Sequence, residues 1–178
     1  MSFPAPFDRF RGEVLPEWID YNGHMNLAYY TVLFDQATDL LFDELGLGLD
    51  YRRDRKLGTF VAETHNLYER ELLVGARVRV ATQIVAIDAK RMHLGHEMYA
   101  LDGANAGTRT ATQELMFLHV DLGARRVCPF PPDMYERVAK AAAAHAGLPY
   151  PAWSGRRIAM PGRWIPPSAG TPQDLRVR

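Results

Sequence analysis

The feature that most constrains this chain is a change of hydrophobic period. From Leu27 the apolar residues Leu27, Tyr30, Phe34, Ala37, Leu41 and Leu45 recur at steps of three and four, the repeat of one helix face. Leu33 and Leu40 widen the stripe, and Gly46 supplies a left-handed stop, so the pattern predicts a buried helix of about five turns. From Thr59 the period becomes two. Segments Thr59 to Leu72, Arg77 to Ile87, Met92 to Ala100 and Thr108 to Asp121 read as strands, divided by Gly75, by Asp88 to Arg91 and by the Asp102 to Gly107 turn signal. Phe10 to Leu15 reads as a short strand ahead of the helix. The expectation is an α+β domain: one strand, one long helix, then a four-strand antiparallel meander curved around that helix.

Immediately before the helix, Asp20, Asn22, His24 and Asn26 alternate around Gly23, which predicts a polar turning loop that delivers side chains to a helix N-terminus. Free backbone N–H groups and the positive end of the helix dipole suit a carbonyl oxygen that gains charge during attack. Each residue also has a plainer role. Asp20 is either a turn-forming carboxylate or the nucleophile or base of a hydrolytic site. Asn22 is a turn residue or a donor to a substrate carbonyl, His24 positions water or donates to that carbonyl oxygen, and Asn26 is the expected helix N-cap. Trp18, Tyr21 and Tyr29 concentrate aromatic surface at this place, as packing or as a substrate pocket.

The order Asp20-x-Asn22-x-His24-x-Asn26, with Tyr29-Tyr30 in the helix that follows, resembles the active-site segment of hot-dog-fold acyl-CoA thioesterases, in the 4-hydroxybenzoyl-CoA thioesterase-like branch. The chain is also similar to the betainyl-CoA thioesterases associated with carnitine dehydrogenase. The resemblance covers roughly Asp8 to His145. It implies a curved antiparallel sheet of about five strands around one central helix, hydrolysis of a small or medium acyl-CoA, no cofactor beyond the coenzyme A of the substrate, and a homodimer or dimer of dimers. It also implies catalytic roles for Asp20, Asn22 and His24. One departure is that the bacterial 4-hydroxybenzoyl-CoA enzyme has aspartate where Asn22 stands. Some relatives of this fold take a glutamate from the first strand after the helix. Glu63 fits that place, either as the working carboxylate, with Asp20 in support, or as a sheet-face charge paired with His65 or Arg70. Rival readings are a hot-dog enoyl-CoA hydratase and a non-catalytic acyl-CoA-binding module.

Lysine plus arginine and aspartate plus glutamate stand at 21 each, so no net field recruits nucleic acid or an acidic membrane. Lys90 and Arg91, like Arg125 and Arg126, fall in turns where they are solvated or meet coenzyme A phosphates. His65, His93, His96 and His119 show no metal-ligand spacing and read as strand-face residues. Cys128 is the only cysteine, which excludes an internal disulfide, and no leader or spanning segment is evident, so a cytoplasmic protein is expected. Pro131-Pro132-Asp133 opens a second helix that ends near Gly147. Residues 1–148 form the expected domain, and 149–178 a Pro/Gly/Arg-rich arm, disordered from Pro166.

Overall fold

The computed structural model describes residues 3–158. Strand β1 (Phe7–Glu13) leads into the long helix α1 (Leu27–Leu45), the short helix α2 (Leu49–Arg55), strands β2 (Leu57–Tyr68), β3 (Arg77–Ile87), β4 (Arg91–Ala100), β5 (Arg109–Asp121) and β6 (Arg126–Val127), and helix α3 (Pro132–His145). Helix α1 has the bounds its periodicity predicts. Asn26 caps it by accepting the Ala28 N–H at 3.0 Å, and Gly46 ends it at φ 73°.

The strand order is β1-β3-β4-β5-β2, all antiparallel, with β6 added to β5. The expected four-strand meander is therefore only three strands long. β2 does not pair with β3; it lies along the far side of β5. Its connection, residues 69–76, crosses from the β2 edge to β3, the strand next to the opposite edge, tied by the Met25 N–H to the Leu72 carbonyl and by the Val14 N–H to the Ala76 carbonyl. Eight extended residues reach about 26 Å, enough to span the three strand spacings, about 14 Å when flat, that separate β2 from β3. Alternation alone carries no record of such a crossing. β2 also stops at Tyr68, short of the expected Leu72, because both the Glu69 and Arg70 N–H groups converge on the Thr110 carbonyl as the chain turns away. The charged run after Gly48 forms α2, with Tyr51 buried beneath it. β1 begins at Phe7, three residues earlier than expected.

The sheet curls around α1 and encloses two apolar clusters. One joins Leu41, Phe42 and Leu45 to Met92, Leu94, Phe117 and Val138 of α3; the other joins Tyr30, Leu33 and Phe34 to Val78, Val80, Met98 and Met25. Between them runs a polar belt in which the His96 ring bridges Thr38 and Thr82 at 3.0 and 2.8 Å and stacks on Phe34. His96 and His119 are thus core residues, which corrects the strand-face expectation: a histidine is tolerated at full burial when both ring nitrogens have partners. His93 pairs with Glu114 at 2.7 Å on the outer side of the sheet.

The first residues of the expected arm lie across that outer side. Trp153 is buried against Gly95, where a Cβ would stand 3.0 Å from its ring, and its indole N–H donates to Glu97 at 2.9 Å. Ser154 and the Gly155 N–H both bond Glu114. The stretch from Pro166, read as disordered, lies outside the described residues.

Candidate active site

The segment Trp18–Asn26 folds into a tight loop closed by pairing of Ile19 with Met25 and by the Asn26 N–H donating to the Trp18 carbonyl at 2.9 Å. Gly23 turns the loop at φ 83°, a value that favours glycine. Inside it Asp20 Oδ1 accepts the Asn22 N–H at 2.8 Å, an Asx turn, and the Asp20 N–H donates to the His24 carbonyl at 3.1 Å. The plainer role read for Asp20 is thus filled by one carboxylate oxygen. Its second oxygen has no hydrogen-bond partner among the described residues. Met25, buried beneath the loop, anchors it to the core.

A cavity of about 470 Å³ opens here, lined by Asp20, Tyr21, Asn22, His24 and Asn26 on the loop side, by Leu27 and Tyr30 of α1, and by Tyr68 to Glu71 opposite. Asp20, Asn22 and His24, widely spread in chemistry, therefore face one space at the start of α1. Of the first N–H groups there, Ala28 is taken by the Asn26 side chain and Tyr29 by the Asn26 carbonyl, both at 3.0 Å. The Leu27 N–H has no partner among the described residues. An unpaired donor at the positive end of a helix can stabilise a developing oxyanion.

The aromatic lining differs from expectation. Trp18 and Tyr29 stack on each other, with centroids 5.1 Å apart and planes 10° from parallel, and do not line the cavity. Mutual packing of two large rings buries more apolar surface than either would against an open loop. Tyr21 does line it, at 97% exposure. The other rings are Tyr30 and Tyr68, which meet edge to face at 5.2 Å. Burial pushes the Tyr30 phenol up to about 12, so it stays a donor, and it bonds the Arg70 carbonyl at 3.1 Å. The wall Tyr68-Glu69-Arg70-Glu71 went unrecognised in the sequence; its only signal was the break of alternation near Glu69.

Two other expected residues lie elsewhere in the protomer. Glu63 stands at a bulge of β2, opposite Met116, on the sheet side away from the core residues Leu115 and Phe117. It is exposed, and five residues of strand, about 17 Å, separate it from Tyr68. Lys90 and Arg91 sit in the β3–β4 turn, the end of the sheet opposite the Asp20 loop, and line a groove of about 420 Å³ with Leu118 and Val127. Arg91 is held there by Asp88. A neighbouring groove of about 490 Å³ carries Arg52, Arg125, Arg126, Phe60 and Leu122. Among the described residues no group of three His, Cys, Asp or Glu side chains could hold a metal ion, and no helix is long and apolar enough to cross a membrane.

The profile of the thioesterase-like superfamily matches residues 14–138, which span the loop, α1 and every strand of the sheet except β1. The betainyl-CoA thioesterase of Pseudomonas aeruginosa is 42% identical over 148 residues, covering 83% of this chain and 91% of that protein. The L-carnitine dehydrogenase/betainyl-CoA thioesterase of Ruegeria pomeroyi is 38% identical over 145 residues, covering 82% of this chain but only 28% of that longer protein. Among solved structures, a Staphylococcus aureus protein in complex with CoA superposes with a TM-score of 0.79 at 27% identity, covering 90% of this chain and 100% of that one. The loop, the helix that follows it and the sheet wrapped around that helix thus have one explanation: this chain belongs to the thioesterase-like superfamily and is a thioester hydrolase of the hot-dog fold.

Proposed function

We propose that this thioester hydrolase releases coenzyme A from betainyl-CoA, the small thioester named in the relative that it resembles at 42% identity. The observation that carries the reading is the shared cavity of Asp20, Asn22, His24 and the start of α1. The thioester carbonyl oxygen points at the Leu27 N–H, with the Asn22 amide or His24 as a second donor. The free oxygen of Asp20 draws a proton from water, and the hydroxide so formed adds to the carbonyl carbon to give a tetrahedral oxyanion; its collapse breaks the C–S bond, and the proton held by Asp20 passes to the departing sulfur, so that coenzyme A leaves as the thiol. If Asp20 itself attacks, the thiolate leaves from an acyl–aspartyl anhydride, and water then hydrolyses that anhydride, returning the carboxylate and supplying the proton that the thiolate takes. No redox step or further cofactor enters. We place the reaction in the cytoplasm, where coenzyme A thioesters are handled.

Release of free thiol from a panel of acyl-CoAs tests the reaction, and one variant tests the choice of carboxylate. Glu63→Gln is expected to keep the wild-type turnover number within about twofold, since mutations away from a site usually have small effects. A loss of a hundredfold would make Glu63 the working carboxylate and Asp20 its support.

The same reading calls for a second copy. β2 is a long edge strand with Phe60 and Val61 exposed at 50% and 45%, an arrangement that proteins cover. Antiparallel pairing of β2 with its own copy continues both sheets about a two-fold axis. It lays the basic end of one sheet, with Lys90, Arg91, Arg125 and Arg126, alongside the Asp20 cavity of the other copy, within reach of coenzyme A phosphates. Light scattering is expected to give twice the chain mass. Thr64→Pro, which takes a backbone donor out of β2, is expected to shift the protein toward monomer and reduce turnover together. A fully active monomer would exclude the shared site.

A further inference from the structure

A quaternary ammonium offers no hydrogen to donate, so a protein reads it only through aromatic faces and unpaired negative charge. In a betainyl thioester the cation is separated from the carbonyl carbon by a single methylene. Whatever reads the cation must therefore stand in the same cavity as the groups that polarise the carbonyl.

The wall opposite Asp20 has that composition. Tyr30 is fixed by its hydrogen bond to the Arg70 carbonyl. Tyr68 is 46% exposed yet tied at its hydroxyl, donating to the Leu27 carbonyl at 3.4 Å and accepting from Asn66 Nδ2 at 3.3 Å. An exposed tyrosine held at its far end presents its ring to the cavity at little further entropy cost. The carboxylates on this wall are not equivalent. Glu69 is neutralised by a two-pronged pair with Arg109, at 2.9 and 2.8 Å. Glu71 forms no ion pair among the described residues. Arg70, the one Lys or Arg on the lining among the described residues, turns its guanidinium to the Glu69 carbonyl at 2.8 Å.

We infer that Tyr30, Tyr68 and Glu71 form the acyl-specificity wall, which selects a trimethylammonium-bearing acyl group beside the thioester carbonyl. The inference rests on the thioesterase reading above and names the residues that choose the substrate. The exposed Tyr68 ring, backed edge to face by the buried Tyr30, contacts the cation and Glu71 supplies the counter-charge, while Asp20 and the start of α1 act on the carbonyl.

The test compares kcat/KM for betainyl-CoA with that for 3,3-dimethylbutanoyl-CoA, which has the same shape with carbon in place of charged nitrogen. Cation–π contacts contribute about 1 to 2 kcal/mol in desolvated sites, so the wild type is expected to prefer the cation by tenfold or more. Tyr68→Leu and Glu71→Gln are each expected to lower that ratio about tenfold, and Tyr68→Phe, which keeps the ring, to retain most of it. Hydrolysis of both thioesters with a ratio near one in wild type, or a ratio unmoved by Tyr68→Leu and Glu71→Gln, would overturn the inference and leave thioester hydrolysis standing. Thiol release from neither substrate would overturn the reading beneath it as well.

Discussion

Asp20→Asn is expected to cost about a thousandfold in turnover number while the fold is untouched. The substitution separates the turn-forming role that one oxygen fills in the structure from the catalytic role proposed above for the other. Oδ1 accepts the Asn22 N–H and builds the Asx turn, and the carboxamide oxygen of asparagine does this equally well. The remaining oxygen, without a protein partner among the described residues, becomes an NH₂ that neither attacks a carbonyl nor takes a proton from water. A positioned acid or base typically contributes about a hundredfold to ten-thousandfold, which sets the size of the loss. Thiol-release kinetics beside a thermal melt read both roles. A melting temperature within a degree or two of wild type, with activity reduced about a thousandfold, places Asp20 on the reacting atoms. Near-normal activity would confine Asp20 to its turn. Asp20→Ala is expected to be worse on both counts, because it also leaves the Asn22 N–H without its acceptor.

What the sequence could disclose about this site follows from how local each signal is. The loop and its helix were legible because Asn26, Gly23 and Gly46 each act on backbone within a few residues, and because the stripe from Leu27 to Leu45 is long enough to have one period. β3 was legible to the residue because its β-branched run is bounded by turn signals at Gly75 and Asp88, although the strand carries a register shift between Ile84 and Ala86. The far wall of the cavity was not, since Tyr68 to Glu71 reach Asp20 only because β2 pairs with β5 and the chain then crosses the sheet. That pairing is set by packing between strands whose partner residues lie 43 to 64 positions apart, which no local pattern records. Trp18 and Tyr29 illustrate the converse. Aromatic residues near a site in sequence choose the partner that buries them best, and here that partner is each other. The core histidines were misread because a ring with both nitrogens bonded packs as an apolar group does, and its partners, Thr38, Tyr51 and Cys128, lie on other elements.

Those histidines lead to the second large effect: the protein is expected to lose stability steeply as pH falls below about 6.5. Three of the six histidines are buried, and each uses one ring nitrogen as an acceptor. Thr38 already donates to the Phe34 carbonyl, so it accepts from His96 Nε2, and His96 Nδ1 accepts from Thr82. His119 Nδ1 donates to the Cys128 carbonyl, which leaves Nε2 to accept from the Tyr51 hydroxyl at 2.8 Å. His145 Nδ1 accepts the Ile84 backbone N–H at 2.8 Å, a donor that cannot turn round, while Nε2 donates to the Pro4 carbonyl. Burial holds all three below the ordinary histidine range, His96 at about 3. The unfolded chain takes up these protons near pH 6.5 and the folded chain does not, so the unfolded state binds more protons and stability rises with pH. Their contribution is complete above about pH 6.5 and is lost as pH falls toward each folded value. For His96 alone the slope is about 1.4 kcal/mol per pH unit, sustained down to about pH 3. Against a total stability of about 5 to 15 kcal/mol, the loss at His96, with His119 and His145 acting in the same direction, is large enough to bring the transition into acid solution. Melting temperatures measured from pH 8 to pH 4 are expected to be level at the top and to fall progressively from about pH 6.5. His96→Gln, whose amide serves both threonines without titrating, is expected to melt lower at pH 8 but to fall less on acidification. A melting temperature unchanged between pH 7 and pH 5 would mean that these rings accept protons in place, and that the acceptor roles assigned to them here are wrong.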